Sequence, residues 1–132
     1  MMIKNLLLVG SGGVLGACLR YLLSLLCVTY LGTDFPFGTL LVNVLGAFAA
    51  GCFFELFRVL QDPEAYRLFC MVGFLGAFTT FSAFSLETVH LFIAEKYGLG
   101  FLTIVLNTTL TLLFAWLGFF VTRYFLLKWG FV

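Results

Sequence analysis

The stretch Gly73-Phe-Leu-Gly-Ala-Phe-Thr-Thr-Phe-Ser-Ala-Phe-Ser-Leu-Glu87 decides the fold of this chain. It lies inside a long apolar run, yet it carries two glycines and four hydroxyl side chains in close succession. In a bilayer core backbone polar groups need a partner, so irregular backbone is tolerated only where protein or a water-filled cavity surrounds it. Broken helices of this kind leave carbonyls and amides near the midplane, where they can contact ions. The stretch therefore indicates a break in a spanning helix, at which backbone groups contact an ion.

A second interpretation of the same stretch stays open on composition alone. Each serine or threonine hydroxyl can donate to a carbonyl of its own helix, which requires neither a break nor an ion. Phe78, Phe81 and Phe84 recur every three residues, so on a helix they would share one face. Phenylalanine usually packs against apolar neighbours, although the positive edge of its ring can also contact an anion.

The composition of the whole chain is typical of a membrane protein. Of its 132 residues, 63% are hydrophobic and 10% are charged, and the mean hydropathy is +1.16. A soluble domain of this size cannot bury so much apolar surface, so lipid must solvate much of it. The net charge of +1 is too small to indicate nucleic-acid binding or a polybasic lipid anchor. We therefore expect an integral membrane protein in contact with the lipid bilayer and with no nucleic-acid partner.

Four apolar segments each reach the length of about 20 residues that a helix needs to cross the hydrocarbon core. They cover residues 5–30, 37–57, 68–92 and 101–127, with short polar connections between them. The first segment exceeds the length of a signal peptide and has no convincing cleavage site, so we expect it to remain as a span. The sequence therefore predicts an all-α membrane protein in which residues 1–132 form one four-helix transmembrane domain.

The first apolar segment combines small residues with one arginine. Gly12 and Gly16 leave a flat strip on which another helix can approach closely. Arg20 lies about 24 Å beyond Lys4 along the helix axis, near the opposite interface. An arginine is costly there unless it snorkels to the headgroups or faces a water-filled entrance. We favour the entrance, a vestibule for an ion.

Polar side chains also recur at helical spacing in the second and fourth segments. Thr39 and Asn43 are four residues apart and share a face. The Asn43 amide can join two helices, or its two N–H donors can bind an anion. Thr103, Asn107 and Thr111 form a polar stripe on an otherwise apolar helix. Such a stripe indicates either a hydrated seam or a hydrogen-bond network between helices.

The chemistry that enzymes need is missing from this sequence. It contains no paired carboxylates at mid-span, no converging Ser/His/Asp or Cys/His set and no metal-ligand cluster. The four cysteines stand singly in apolar runs, which is typical of buried free thiols. We therefore expect no enzymatic activity. Most of the intramembrane polar groups are hydrogen-bond donors, and a path rich in donors suits an anion better than a cation.

Three motifs of the chain resemble those of a known family, the Fluc (CrcB) fluoride channels. They are Gly12-Gly13-x-x-Gly16-Ala-x-x-Arg20-Tyr21, Phe37-Gly-Thr-Leu-x-Val-Asn43-x-x-Gly46 and the stretch quoted at the outset. The match runs through all four helices in order, and the combination is specific although each glycine pattern alone is weak. The sequence departs from the family pattern at Ala77 and Ala83, where a second glycine and a small hydroxyl residue are usual.

The resemblance implies an antiparallel, dual-topology homodimer in the bacterial cytoplasmic (inner) membrane. Two pores along its helix interfaces would export fluoride passively and selectively, and so lower fluoride toxicity inside the cell. The resemblance also implies a central structural Na⁺ shared by the two subunits. Main-chain carbonyls of Gly76 and Thr79, at the helix break, would bind this ion.

The same resemblance implies roles for individual side chains. Phe81 and Phe84 would be the aromatic pair of the fluoride pore. The polar residues of the pore would be Asn43, Thr80, Ser82, Thr103, Asn107 and Thr111. The residues of the vestibule would be Arg20, Thr39 and Glu87.

Two other functions compete with the fluoride channel. The first is a small proton-coupled multidrug exporter, which is also a dual-topology dimer of four-helix subunits. It requires a titratable carboxylate in its substrate pocket, whereas the first segment has Arg20 and no acid, and Glu87 lies late in the third. Dependence of transport on a proton gradient would distinguish it. The second is a non-transporting membrane scaffold, which would pass no fluoride in liposomes.

Overall fold

The computed structural model describes residues 1–131, which fold into helices joined by short loops and contain no β-strand. Within this range four helical segments are long and apolar enough to cross a membrane: Met2–Leu31, Phe37–Leu56, Glu64–Ile93 and Tyr97–Lys128. The prediction of an all-α chain with four spanning helices is therefore confirmed. At most of their ends the helices are one to four residues longer than the predicted apolar segments. The additional residues include polar ones, such as Glu64 and Lys128, which hydrophobicity alone does not assign to a span.

The first two helices meet at a turn built from glycine and proline. α1 (Met2–Leu31) ends at Gly32, whose φ of 79° suits glycine and whose N–H donates to the carbonyl of Val28. Pro36 directly precedes α2 (Phe37–Leu56), where the missing N–H of proline costs no helical hydrogen bond. An ion pair of 3.3 Å between Lys96 and Asp34 ties this turn to the loop after the third span.

The third span changes its backbone geometry twice. Its first part, α3 (residues 64–78), starts as an α-helix, continues as a π-helix over Arg67–Leu75 and ends with one α-helical turn at Gly76–Phe78. Thr79 and Thr80 then adopt extended backbone, with ψ angles of 159° and 120°. A second helix, α4 (Phe81–Ile93), completes the span. We call the extended pair Thr79 and Thr80 the interruption.

The position of the interruption follows from the side chain of Thr80. Its hydroxyl accepts a hydrogen bond of 3.1 Å from the N–H of Ala83, which is the usual way for threonine to cap the start of a helix. Gly76 and Ala77, the counterparts of the glycine pair in the family pattern, are helical. Alanine is the strongest helix former, so its presence at position 77 favours helix there.

Close glycine contacts hold the helices in two pairs. A Cβ added at Gly12 or Gly16 of α1 would collide with main-chain oxygens of α3. A Cβ added at Gly51 of α2 or at Gly118 would collide with main-chain oxygens across the other pair, α2 and α5 (Tyr97–Lys128). The predicted strip of small residues on the first helix therefore does contact another helix closely, and α3 is its partner.

The core of the subunit lies beside the interruption. Val42 of α2 packs with Leu75 and Phe78 of α3, and all three side chains are buried. Most other large apolar side chains of the chain are exposed on the outer faces of the helices. This distribution fits a small subunit whose solvent is lipid, and it fixes α2 against the end of α3.

Candidate functional site

A groove of about 600 Å³ runs along one side of the subunit, where α2, the third span and α5 meet. We call it the main groove. Eight of the residues predicted for the pore or the cation site line it: Asn43, Gly76, Thr79, Thr80, Phe81, Phe84, Asn107 and Thr111. Residues from three helices that are distant in sequence therefore converge on one surface, with the interruption at its centre.

Two aromatic rings at the start of α4 line this groove. Phe81, the first residue of α4, is 78% exposed, and Phe84 is half-buried one turn further on. Their ring centroids lie 5.3 Å apart with an interplanar angle of 62°, an edge-to-face arrangement. The first turn of a helix also carries N–H groups without intrahelical acceptors and the positive end of the helix dipole. Apolar rings and a positive backbone end thus occur together.

The side chain of Asn43 pairs with the main chain of Thr80. The Thr80 N–H donates to Asn43 Oδ1 at 2.8 Å, and Asn43 Nδ2 donates to the Thr80 carbonyl at 3.0 Å. Because a backbone N–H only donates and a carbonyl only accepts, these two bonds fix which atom of the carboxamide is oxygen. The Asn43 side chain thereby satisfies both polar groups of an extended residue inside a membrane helix.

The same carboxamide continues into a network on α5. Asn43 Nδ2 donates to Asn107 Oδ1 at 3.0 Å, and Asn107 Nδ2 donates to the carbonyl of Thr103 at 3.2 Å. Thr103 itself is 0% exposed and does not line the main groove, and its hydroxyl donates to the carbonyl of Leu99 in its own helix. Of the two interpretations of the polar stripe, the hydrogen-bond network between helices is the one observed at Asn107 in the subunit.

The residues predicted for the vestibule do not all lie together. Thr39 and Glu87 line a second groove of about 390 Å³ at the end of the subunit near the turn after α1. The Thr39 hydroxyl donates to Glu87 Oε1 at 2.8 Å, while Glu87 Oε2 is buried without a hydrogen bond to any described residue. Arg20 lines neither this groove nor the main groove. Ser82 is exposed beside Thr80, 3.3 Å from its hydroxyl, and is also outside the lining of both.

Two main-chain carbonyls at the interruption lack the donors that a continuous helix would give them. In an α-helix the Gly76 carbonyl accepts from the N–H of Thr80, and the Thr79 carbonyl accepts from that of Ala83. Here the Thr80 N–H donates to Asn43, and the Ala83 N–H donates to the Thr80 hydroxyl. Oxygen atoms of this kind are the ligands that hard cations prefer. The carbonyls predicted to bind Na⁺ are thus chemically suited to a cation.

Comparison with known proteins places the chain in a family. Residues 7–119 match the family model described as CrcB-like protein, Camphor Resistance (CrcB). The chain belongs to the CrcB family. The resemblance seen in the three sequence motifs is thereby confirmed.

Curated relatives of this CrcB chain carry the name fluoride-specific ion channel FluC. The protein of Vibrio vulnificus is 46% identical over 112 residues, which are 84% of this chain and 89% of the relative. That of Magnetococcus marinus is 47% identical over 116 residues, 87% of this chain and 94% of the relative. That of Shewanella oneidensis is 44% identical over 115 residues, 87% and 93% respectively. The CrcB family is a family of ion channels and not of enzymes, as the sequence predicts.

The main groove of this CrcB chain also has lining residues that the sequence did not assign to the site. Gly46, Ala47 and Ala50 of α2 line it beside the longer side chains. A Cβ at Gly46 would collide with the methyl group of Thr79, so only glycine lets the interruption approach α2 this closely. The four-residue spacing of small residues was the available signal, but that pattern usually indicates packing between helices.

Proposed function

We propose that this chain forms a channel that conducts fluoride passively and selectively across the bacterial cytoplasmic (inner) membrane, and so lowers fluoride inside the cell. The family assignment and the names of three relatives support fluoride as the ion. The observation that carries the proposal is the exposed edge-to-face pair Phe81 and Phe84 at the start of α4. An uncharged but electropositive surface beside free backbone N–H groups suits a small, strongly hydrated anion.

Such a pathway has to replace the hydration shell of fluoride without trapping the ion. The N–H groups of Phe81 and Ser82 have no acceptor within α4, because they belong to its first turn. Phe81 and Phe84 stand on the first turn of the same helix, and the edges of their rings carry partial positive charge without a full cation. Several weak contacts of this kind let an anion enter, and also let it leave.

The pathway is completed by a second copy of the chain in the opposite orientation. A single subunit leaves the main groove open and exposes 78% of Phe81, one of the residues proposed to contact the ion. A four-helix subunit of 132 residues has too few helices to enclose a pore of its own. In an antiparallel homodimer each subunit would cover the main groove of the other. The dimer would thereby contain two pores.

A central Na⁺ would be held by the carbonyls of Gly76 and Thr79 from each subunit. The support is that the N–H groups of Thr80 and Ala83, which would satisfy these carbonyls in a continuous helix, donate elsewhere. The cation supplies positive charge that balances the carbonyl dipoles exposed by two interruptions. The chain itself contributes the fixed position of these oxygens, since Thr79 is also bonded to Leu75 through both its N–H and its hydroxyl.

The approach to the pore would use the predicted vestibule residues. Arg20 forms no ion pair with any residue in the described range, so its charge is free to attract anions toward the membrane surface. Thr39 and Glu87 line the second groove, where the Thr39 hydroxyl is directed at the carboxyl group.

A fluoride-electrode assay on purified protein in liposomes tests the function. The proposal predicts rapid fluoride release when a K⁺ ionophore balances charge, no chloride release, and the same rate with and without an imposed proton gradient. Release that requires the proton gradient would support the multidrug-exporter class. Absence of fluoride release above that of protein-free liposomes would reject conduction and favour a scaffold.

A further inference from the structure

Asn43 contacts Thr80 in a way that only an extended residue allows. In extended backbone the N–H and C=O of one residue point to the same side, and a neighbouring strand exchanges both bonds with it. In a helix the two groups point in opposite directions along the axis. The Asn43 carboxamide accepts from the Thr80 N–H at 2.8 Å and donates to the Thr80 C=O at 3.0 Å, as a strand residue would.

We propose that Asn43 is a positioning residue whose carboxamide keeps Thr80 extended and the third span interrupted. Without it, the Thr80 N–H would be free to return to the carbonyl of Gly76, which is its partner in a continuous helix. The interruption would then close by one residue and the Gly76 oxygen would lose its accessibility. Asn43 thus sets the geometry of the proposed cation site from the opposite helix.

The Asn43 carboxamide also contacts α5. Its amide has two hydrogens, and Nδ2 directs them to the Thr80 carbonyl and to Asn107 Oδ1, both at 3.0 Å. Asn107 is itself oriented by its bond to the Thr103 carbonyl. Asn43 therefore acts on conduction through the backbone of Thr80, a consequence that rests on the proposed function.

Nuclear magnetic resonance of the isotope-labelled full chain in lipid nanodiscs, without fluoride, measures this directly. The Cα and Cβ chemical shifts of Thr80 distinguish extended from helical backbone. The wild type should give extended values, and Asn43→Ala should move them toward helical values. Fluoride efflux of Asn43→Ala should be about tenfold slower, the loss expected for about one hydrogen bond of positioning.

Asn43→Asp provides a second variant with the shape of asparagine. A neutral carboxyl can accept from the Thr80 N–H and donate its O–H to the Thr80 carbonyl, whereas a carboxylate has no proton to donate. Both forms keep an acceptor for the Thr80 N–H, so the Thr80 shifts should stay extended between about pH 4 and pH 8. Glu87, which accepts a hydrogen bond from Thr39, is unchanged in every variant. The same measurement on the wild type therefore gives any change in the Thr80 shifts that comes from Glu87.

Asn107→Ala is the matched control. It is the same substitution in the same network, but Asn107 makes no bond to Thr80, so the Thr80 shifts should stay extended. Wild-type Thr80 shifts in Asn43→Ala would overturn the proposal, as would wild-type shifts in Asn43→Leu, which fills the space of the carboxamide without its polar atoms, if the alanine variant does not fold. Because the shifts are read without fluoride, a wild type that fails to conduct would reject the proposed function and leave this result standing.

Discussion

At the scale of single residues, the rings of Phe81 and Phe84 are proposed to contact the ion. Isoleucine at either position keeps an apolar side chain but removes the electropositive ring edge. We expect Phe81→Ile and Phe84→Ile each to reduce fluoride efflux to the leak of protein-free liposomes, while the elution volume of the purified protein stays unchanged. The measurement is the fluoride-electrode assay on both variants.

A second aromatic pair provides the control for that experiment. Phe92 and Phe101 also meet edge to face, with centroids 5.4 Å apart and an interplanar angle of 72°, but they do not line the main groove. Phe101→Ile should therefore conduct fluoride at the wild-type rate. Retention of transport in both groove variants would exclude these rings from the pathway.

Thr39 and Glu87 allow a prediction about stability. Valine at position 39 removes the hydroxyl that donates to Glu87 Oε1, and Oε2 has no donor among residues 1–131. A buried polar atom left without its partner costs about 1–3 kcal/mol. Thr39→Val should lower the free energy of unfolding by that amount in mixed detergent micelles. Glu87→Gln should cost less, because its carboxamide oxygen can still accept from Thr39.

Thr29→Val is a suitable reference for this comparison. The Thr29 hydroxyl is exposed and donates only to Leu25 of its own helix, so its loss should change the free energy of unfolding by less than about 0.5 kcal/mol. Equal stability of Thr39→Val and Thr29→Val would show that the bond to Glu87 contributes nothing.

Side-chain roles were harder to predict from sequence than side-chain locations. The helical spacing of Thr39 and Asn43, and of Asn107 and Thr111, indicated polar faces on α2 and α5; Asn43, Asn107 and Thr111 line the main groove, and Thr39 lines the second groove. The partner of Asn43 is the main chain of Thr80, 37 positions away, and local spacing carries no information on such a pairing. For the same reason the stripe did not reveal that Thr103 is buried and does not line the main groove.

At the scale of helices, the contact between α1 and α3 depends on glycine. A Cβ at Gly16 would collide with the carbonyl oxygen of Phe74, so Gly16→Ala must separate the two helices. Overpacking of this kind costs about 1–3 kcal/mol. Gly10 of the same helix has no other heavy atom within 4 Å of an added Cβ among the described residues, so Gly10→Ala should be neutral or stabilising by less than about 1 kcal/mol.

Equilibrium unfolding of both alanine variants in mixed detergent micelles checks this prediction. Equal stabilities would mean that α1 and α3 are not packed through Gly16. Because Gly10 and Gly16 lie on the same helix, the change in intrinsic helix propensity is common to both variants, and the difference between them reports the helix contact.

The spans were predictable because hydrophobicity and length alone specify a membrane helix. The irregular parts of the third span were not predictable in the same way. The glycines and hydroxyl residues of residues 73–87 indicated irregular backbone, but the extended residues are Thr79 and Thr80, and Gly76 and Ala77 are helical. The location depends on the cap at Thr80 and on Asn43 from another helix, so composition of the segment cannot supply it.

At the scale of the whole molecule, the open main groove predicts a second subunit. Two copies of the 14.7 kDa chain are expected to elute together, with a protein mass of twice that value after the detergent is subtracted by light scattering. Replacement of Na⁺ by a large organic cation should weaken this assembly, because the carbonyls of Gly76 and Thr79 would lose their counter-charge. A monomer that still conducts fluoride would contradict the shared pore.

Passive, selective conduction of fluoride is the central claim, and its most direct test is the reversal potential of the current in a planar bilayer. With a tenfold fluoride gradient, equal chloride on both sides and a large impermeant anion as replacement, the current should reverse at about 59 mV, the value for a single monovalent ion. The reversal potential should not move when chloride or pH is changed on one side. A current that reverses near zero under the fluoride gradient, or that follows the proton gradient, would contradict the account.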